Sequence, residues 1–312
     1  MLSGFHKISI DVFQHYQITS TKNLVMIVKE IKSFKRINLH LHTNVSDGAL
    51  TPARLVKRAQ EIGLDLISIT DHDTADAYKQ LPTSLLPLRI FPGMEVSSLH
   101  QGNDVHILAY GFDFNNAPLI ELTEMYLIGR RERAIKMIEL LAGLGIDIDL
   151  QDVVAVSGSR ELIVRPHIAQ VLVSKGHCQT KNEAFEKYIG NFKPAYVAKP
   201  EVSVAEAVKV IHGAGGFAVI AHPGKLAKVS YIDEFIAMGI DGLEVWHPDH
   251  YQWEIENFIS IAQKNGLYMT GGSDFHGEQD RHNLFDDIPL PPVVIQSIEK
   301  MWQAYQCRLK SK

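Results

Sequence analysis

From position 37 onward the apolar residues follow two alternating rhythms. Short runs rich in Val, Ile and Leu give way to stretches whose apolar positions recur with helical spacing, the pattern of strand–helix units and of a parallel sheet or barrel. The first unit is the sharpest. Residues 37–42 read as a strand, Thr51 caps a helix with Pro52 at its first position, and Leu55, Val56 and Ala59 carry its apolar face to Gly63. Residues 64–70 form a second, almost wholly apolar strand, and 88–91, 105–110, 217–221, 242–246 and 267–270 supply more, each followed by polar residues.

Between 117 and 200 the rhythm becomes helical throughout, with periodic stretches at 119–144, 163–175 and 182–189. Ser203-Val204-Ala205-Glu206 then matches a capping box and opens a helix ending near Gly213, after which strands resume. The expected plan is an N-terminal extension (1–36), a first barrel part (37–116), a helical insertion (117–200), and a second barrel part with a C-terminal helix (201–312). The fold class is α/β.

Composition narrows the partners. The chain has 312 residues, 46% of them hydrophobic, and a net charge of −5, so bulk charge will not hold nucleic acid. Recognition of RNA would need a local basic pocket, and neither DNA nor a protein partner is expected. Cys178 and Cys307 form no metal or disulfide spacing, which fits a reducing cytoplasm. The longest apolar run near the N-terminus, residues 24–28, is far too short to span a bilayer, so no membrane role is expected.

Candidate chemistry sits where strands end. His40 and His42 are two apart on a strand, which sends both imidazoles to one face, a chelating geometry. Asp47, His72, Glu95, His106, His222, Asp274 and His276 recur at the ends of other strands. In a barrel such ends converge on one site, and burying this many charges without a cation would be costly. Mixed imidazole and carboxylate donors suit Mn²⁺, Fe²⁺ or Zn²⁺ better than Mg²⁺.

The set His40-x-His42, Ser46-Asp47-Gly48, Thr70-Asp71-His72-Asp73, Gly93-x-Glu95, Ala221-His222-Pro223 and Gly272-Ser273-Asp274-x-His276 resembles the polymerase and histidinol phosphatase (PHP) domain. Within that superfamily the chain is most similar to the 3',5'-nucleotide bisphosphate phosphatases and 5'-to-3' exoribonucleases. That finer likeness rests on residues 105–110, Arg165-Pro166-His167-Ile168-Ala169 and Glu244-Val245-Trp246-His247-Pro248.

The resemblance implies a distorted (β/α)7 barrel with an inserted helical subdomain, three divalent metal ions, Mn²⁺ preferred, with Zn²⁺ or Fe²⁺ as alternatives, and a phosphoric ester hydrolase. It implies His40, His42, Glu95 and Asp274 on the first metal, Glu95, His106 and His222 on the second, and Asp47, His72 and His276 on the third. Water activated between the metals would attack phosphorus in line, with His40, Glu95, His222 and Asp274 catalytic through the metals they hold. Expected substrates are nucleotide bisphosphates or RNA 5' ends.

Four further expectations concern residues around that set. Asp71 and Asp73 can orient ligand imidazoles or cap local turns. Arg165 and His167, at a helix start, and Arg130 and Arg133 are candidate substrate contacts, although a solvated helical face accounts for at least two of Arg130, Arg131 and Arg133. His250 is a candidate general acid, with exposure in a polar loop as the competing reading of both it and His247. The competing activities are a histidinol-phosphate or other small-molecule phosphatase, and, in another class, a non-catalytic PHP accessory module.

Overall fold

The computed structural model describes residues 33–81, 85, 87–157, 163–198, 202–277, 285 and 288–311. Strands β1 (Ile37–Asn38), β2 (Leu66–Ile67) and β3 (Arg89–Ile90) form a parallel sheet, with Ile37 opposite Leu66 and Ile67 opposite Ile90. A second sheet runs in the order β4 (Gly93–His100), β5 (Asn103–Tyr110), β6 (Phe217–Ile220), β7 (Gly242–Trp246) and β8 (Tyr268–Gly271). Strands β6, β7 and β8 are parallel, as expected of strand–helix units.

The β4–β5 and β5–β6 pairings are antiparallel, and this departs from a uniform repeat. Strands β4 and β5 form a hairpin whose turn residues Gln101 and Gly102 have φ of 49° and 78°. Two successive left-handed residues make the tight turn that matches strand twist. Glutamine is not among the residues that favour its first position, so the turn left no cue in the chain.

The expected strand 37–42 divides its pairing. Asn38 stays with β2, while Leu39 N–H donates to Gly271 O (3.2 Å), His42 N–H to Phe275 O (3.0 Å) and Asp274 N–H to His40 O (3.0 Å). Isolated bridges at Leu41–Phe275 and His72–Glu95 tie the two sheets to each other.

Local signals explain the helices. Thr51 Oγ1 accepts from Arg54 N–H at 3.3 Å at the start of α1 (Pro52–Glu61). Helices α2 (Ala117–Gly143), α3 (Leu150–Ser157), α4 (Arg165–Ser174) and α5 (Lys181–Ala184), with a π turn at Phe185–Ile189, fill the stretch between β5 and α6 (Val204–Gly213). Of these, α3 is too short for periodicity to reveal it. The capping box at α6 is formed in both directions, Glu206 N–H to Ser203 Oγ at 3.2 Å and Ser203 N–H to Glu206 Oε2 at 2.9 Å. Helices α7 (Tyr231–Ala237), α8 (Gln252–Asn265) and α9 (Pro292–Lys310) alternate with the later strands.

Helices α2 to α5 bury a cluster of their own around Met137, Leu141, Val153, Ile168 and Leu172, separate from the clusters beneath the two sheets. The body begins earlier than position 37. Phe34 is buried edge-on against Trp302, with ring centroids 6.1 Å apart, and its N–H donates to Glu299 Oε1 at 2.7 Å. An isolated Phe ahead of any periodic run gave no sign of this. Among the described residues no helix is long and apolar enough to cross a membrane.

Candidate metal centre

Two glycines allow the site's backbones to meet. A Cβ on Gly48 would lie 2.4 Å from His42 O, and one on Gly272 would lie 2.4 Å from His40 N. Both are contacts with backbone that cannot move aside, so the glycines of Ser46-Asp47-Gly48 and Gly272-Ser273-Asp274 let two loops close on the His40–His42 segment. Strain gathers here too. Of the five described non-glycine residues with positive φ, Asp73 (56°), His222 (29°) and Asp274 (52°) lie in this region.

His40 and His42 follow β1, Asp47 sits in the loop before α1, and His72 follows β2. Glu95 on β4 and His106 on β5 are diagonal neighbours in the hairpin, opposite Leu108 and Ser97 respectively, His222 follows β6, and Asp274 and His276 follow β8. Glu95 is the hub. Its Oε2 lies 3.3 Å from His40 Nε2, 3.2 Å from His42 Nε2 and 3.1 Å from His72 Nδ1. Its Oε1 lies 2.8 Å from His106 Nδ1 and 3.0 Å from His222 Nε2.

Asp274 Oδ1 is 3.1 Å from Nε2 of both His40 and His42. Asp47 lies 3.4 Å from His276 Nε2, 3.6 Å from His42 Nδ1 and 3.7 Å from His72 Nε2. The donors thus gather in three overlapping sets, His40–His42–Glu95–Asp274, His42–Asp47–His72–His276 and His72–Glu95–His106, with His222 at the edge of the last through Glu95.

The electrostatics are those of a site built around positive charge. Burial would raise the carboxylates, yet the surrounding imidazoles hold Glu95, Asp47 and Asp274 well below the ordinary range. Burial likewise opposes charge on His276, but Asp47 and Asp274 drive it up to about 10. Burial, helped by His42 and His106, takes His72 down to about 3 against the pull of Glu95 and Asp47.

Both ring nitrogens of His42, and Nδ1 of His72, are buried without a hydrogen-bond partner among the described residues. Leaving such groups unmet costs free energy. Here they face carboxylate oxygens at 3.1–3.6 Å without hydrogen-bond geometry, the arrangement of donors turned toward a shared cation. The residues therefore fit divalent metal ions.

Several expectations need correction. Neither Asp71 nor Asp73 hydrogen-bonds a candidate ligand imidazole among the described residues. Asp71 accepts from Thr43 N–H (2.7 Å), Thr43 Oγ1 (2.6 Å) and Ser46 Oγ (2.7 Å), and so holds the loop that carries Asp47. Asp73 accepts from Ser97 N–H at 2.6 Å and pairs with Arg130.

His250 is buried, not exposed; its Nδ1 donates to Val245 O (2.9 Å) and its Nε2 accepts from Gly224 N–H (3.2 Å). Both nitrogens are committed to backbone, the one proton of the neutral ring is held by Val245 O, and burial pushes the pKa down. His247 is buried as well, its Nε2 3.2 Å from Asp274 Oδ2. Lys225 reaches the same oxygen at 3.3 Å. These two and Glu244, whose Oε1 lies 2.9 Å from His40 Nδ1, are site residues that spacing did not single out.

The arginines also differ from a solvated face. Arg130 and Arg133 are buried and only Arg131 is exposed. Arg130 ties helix α2 to Asp73 and Ser97, which makes it a strut and not a free substrate contact. Arg133 donates from Nε to Val197 O at 2.6 Å and stands 5.8 Å from the Tyr196 ring centroid.

Arg165 donates to Asn191 Oδ1 at 2.8 Å and lies over the same Tyr196 at 5.8 Å. Burial, together with repulsion from Arg165 and Arg130, lowers Arg133 to about 10, and Arg133 and Arg165 share the Tyr196 ring. Burial pushes His167 down to about 4 against the pull of Asp47, and its Nδ1 accepts from Val164 N–H at 3.3 Å. A cavity of about 190 Å³, lined by Asp104, His106, His222, Lys225 and Leu226, opens at the His106–His222 edge of the cluster, and Asp104 also acts on Arg133 and Arg165.

An α/β fold that gathers six histidines and three carboxylates, Glu95 and His106 from within the hairpin strands and the others from segments beside strand ends, is the frame of a metal-dependent hydrolase. The chain belongs to the PHP domain family, whose model matches residues 38–269, and is a metal-dependent phosphoesterase. It is 33% identical over 282 residues to the 3',5'-nucleoside bisphosphate phosphatase of Chromobacterium violaceum, covering 88% of this chain and 97% of that one. It is 31% identical over 280 residues to the 5'-3' exoribonuclease Rnm of Escherichia coli, covering 86% and 93%. A solved structure of an amidohydrolase from Chromobacterium violaceum with bound sulfate superposes with a TM-score of 0.76 at 32% identity, over 88% of this chain and 97% of that one.

Proposed function

We propose that the protein removes the 3'-phosphate of nucleoside 3',5'-bisphosphates and degrades short 5'-phosphorylated RNA in the 5'-to-3' direction. The observation that supports this reading is the pair Arg133 and Arg165, which share the Tyr196 ring and feel the charge of Asp104, a residue that also lines the cavity at His106 and His222. Both arginines come from the stretch 117–200 read as an inserted subdomain, as does His167, an imidazole that burial keeps neutral and that feels the charge of Asp47. A simple phosphomonoester needs one anion site; a bisphosphate or a 5'-phosphorylated strand uses two. The bisphosphate phosphatase and exoribonuclease names of relatives near 30% identity support the same choice.

In this reading three divalent ions, Mn²⁺ by preference, would be held by His40, His42, Glu95 and Asp274, by Glu95, His106 and His222, and by Asp47, His72 and His276. Such ions lower the pKa of water and neutralise phosphate oxygens. The protein's own part is to keep these donors aimed inward. Asp71 fixes the Asp47 loop and His247 with Lys225 fixes the outer oxygen of Asp274. Arg165 grips the phosphate that is not cleaved. The test is a substrate panel on chelator-stripped protein with Mn²⁺ restored. Adenosine 3',5'-bisphosphate and 5'-phosphorylated oligoribonucleotides should turn over well ahead of histidinol phosphate, and the reverse order would overturn the proposal.

A further inference from the structure

Glu244 lies in β7 with no solvent exposure and within hydrogen-bond reach of two of the candidate ligands at once. Its Oε1 is 2.9 Å from His40 Nδ1, and its Oε2 accepts from the backbone N–H of His222 at 2.7 Å. His40 Nε2 points the other way, 3.1 Å from Asp274 and 3.3 Å from Glu95. His222 holds an unusual backbone, φ 29° and ψ 62°, a conformation that a residue with a Cβ adopts only when its surroundings enforce it.

We propose that Glu244 is the positioning residue that sets both ligands for metal. By taking a proton from neither and a hydrogen bond from each, it keeps His40 as the Nδ1–H tautomer, with the Nε2 lone pair free for a cation, and locks the His222 backbone so that its imidazole reaches Glu95. A carboxylate can do both because it offers only acceptors, whereas an amide offers one acceptor and one donor. Metal-bound histidines commonly depend on such a partner, and its loss lowers metal affinity by about 10- to 100-fold. This inference rests on the cluster holding divalent ions, not on the substrate proposed above.

Glu244→Gln is close in shape but must either turn its NH₂ toward His40 Nδ1, which favours the wrong tautomer, or toward the His222 N–H, which leaves that donor unmet. Mn²⁺ binding to stripped protein, followed by calorimetry, should weaken by about 10- to 100-fold in this variant, and Glu244→Asp, which keeps the charge but not the reach, should recover only part. Wild-type protein supplies a readout that needs no variant. In the Zn²⁺-loaded, diamagnetic form, long-range proton–nitrogen correlation should show His40 as the Nδ1–H tautomer. Wild-type affinity in a folded Glu244→Gln protein, or an Nε2–H tautomer for His40, would overturn the inference. Absence of any metal binding by the wild type would overturn it together with the metal centre, and a changed substrate preference with intact metal affinity would count against it alone.

Discussion

Arg130 joins helix α2 to Asp73, the residue after the candidate ligand His72, and the side chains are 7% and 0% exposed. Arg130→Ala should therefore leave a buried carboxylate with its Ser97 N–H bond but no counter-charge. Removing one partner of such a pair costs about 3–5 kcal/mol, whereas replacing both with uncharged groups of similar size is often near neutral. Because both partners are withdrawn from water, solvent screening does not reduce this figure to the level of a surface pair. Urea unfolding of metal-free protein is the assay, comparing Arg130→Ala, Arg130→Met, Asp73→Asn and Arg130→Met/Asp73→Asn. The double variant should recover at least half of the stability lost by Arg130→Ala. A loss below about 1 kcal/mol for Arg130→Ala, or strict additivity in the double variant, would refute the view of Arg130 as a buried strut.

Three further outcomes are expected. Alanine at His222 or Asp274 should abolish phosphatase activity while the far-ultraviolet spectrum stays native; near-normal turnover in folded, metal-replete His222→Ala would remove that residue from the ligand set. Arg165→Ala should slow adenosine 3',5'-bisphosphate by about 10- to 150-fold in kcat/KM relative to p-nitrophenyl phosphate, with only partial rescue by lysine; equal slowing of both substrates would place Arg165 elsewhere. Stability should respond to pH with opposite sign in the two metal states. His276 is opposed by burial but raised by Asp47 to about 10, so its contribution to metal-free protein is complete below the unfolded value near 6.5 and fades as pH rises toward 10. Metal binding must expel that proton, so Mn²⁺ affinity should climb over the same range, and an affinity flat in pH would contradict the assignment.

The parts of the site legible in the chain were those written in strand-end chemistry. His40-x-His42, Asp47, His72 and Asp274 declare themselves because polar ligands interrupt apolar runs where strands stop, and the structure gathers them within a few ångströms. Thr51 and the Ser203–Glu206 box were equally plain, since caps act locally. Tertiary choices were not. Glu244 sits inside an apolar strand and has meaning only because His40 and His222 arrive from 204 and 22 positions away. Arg130 and Arg133 look like ordinary helix-surface charges until loops bearing Asp73 and Val197 cover them. The β4–β5 hairpin escaped because Gln101 carries no turn preference for the left-handed conformation it adopts.

The central claim is that a metal-dependent phosphoesterase centre is given its choice of substrate by a second anion site. The most direct measurement is phosphate release by chelator-stripped protein from adenosine 3',5'-bisphosphate and from adenosine 3'-monophosphate, before and after Mn²⁺ is restored. The two substrates share the cleaved bond and differ only in the second phosphate. The account predicts no turnover before Mn²⁺ and, after it, a preference for the bisphosphate of about 10-fold or more in kcat/KM. Turnover without metal, or equal use of the two substrates, would contradict it.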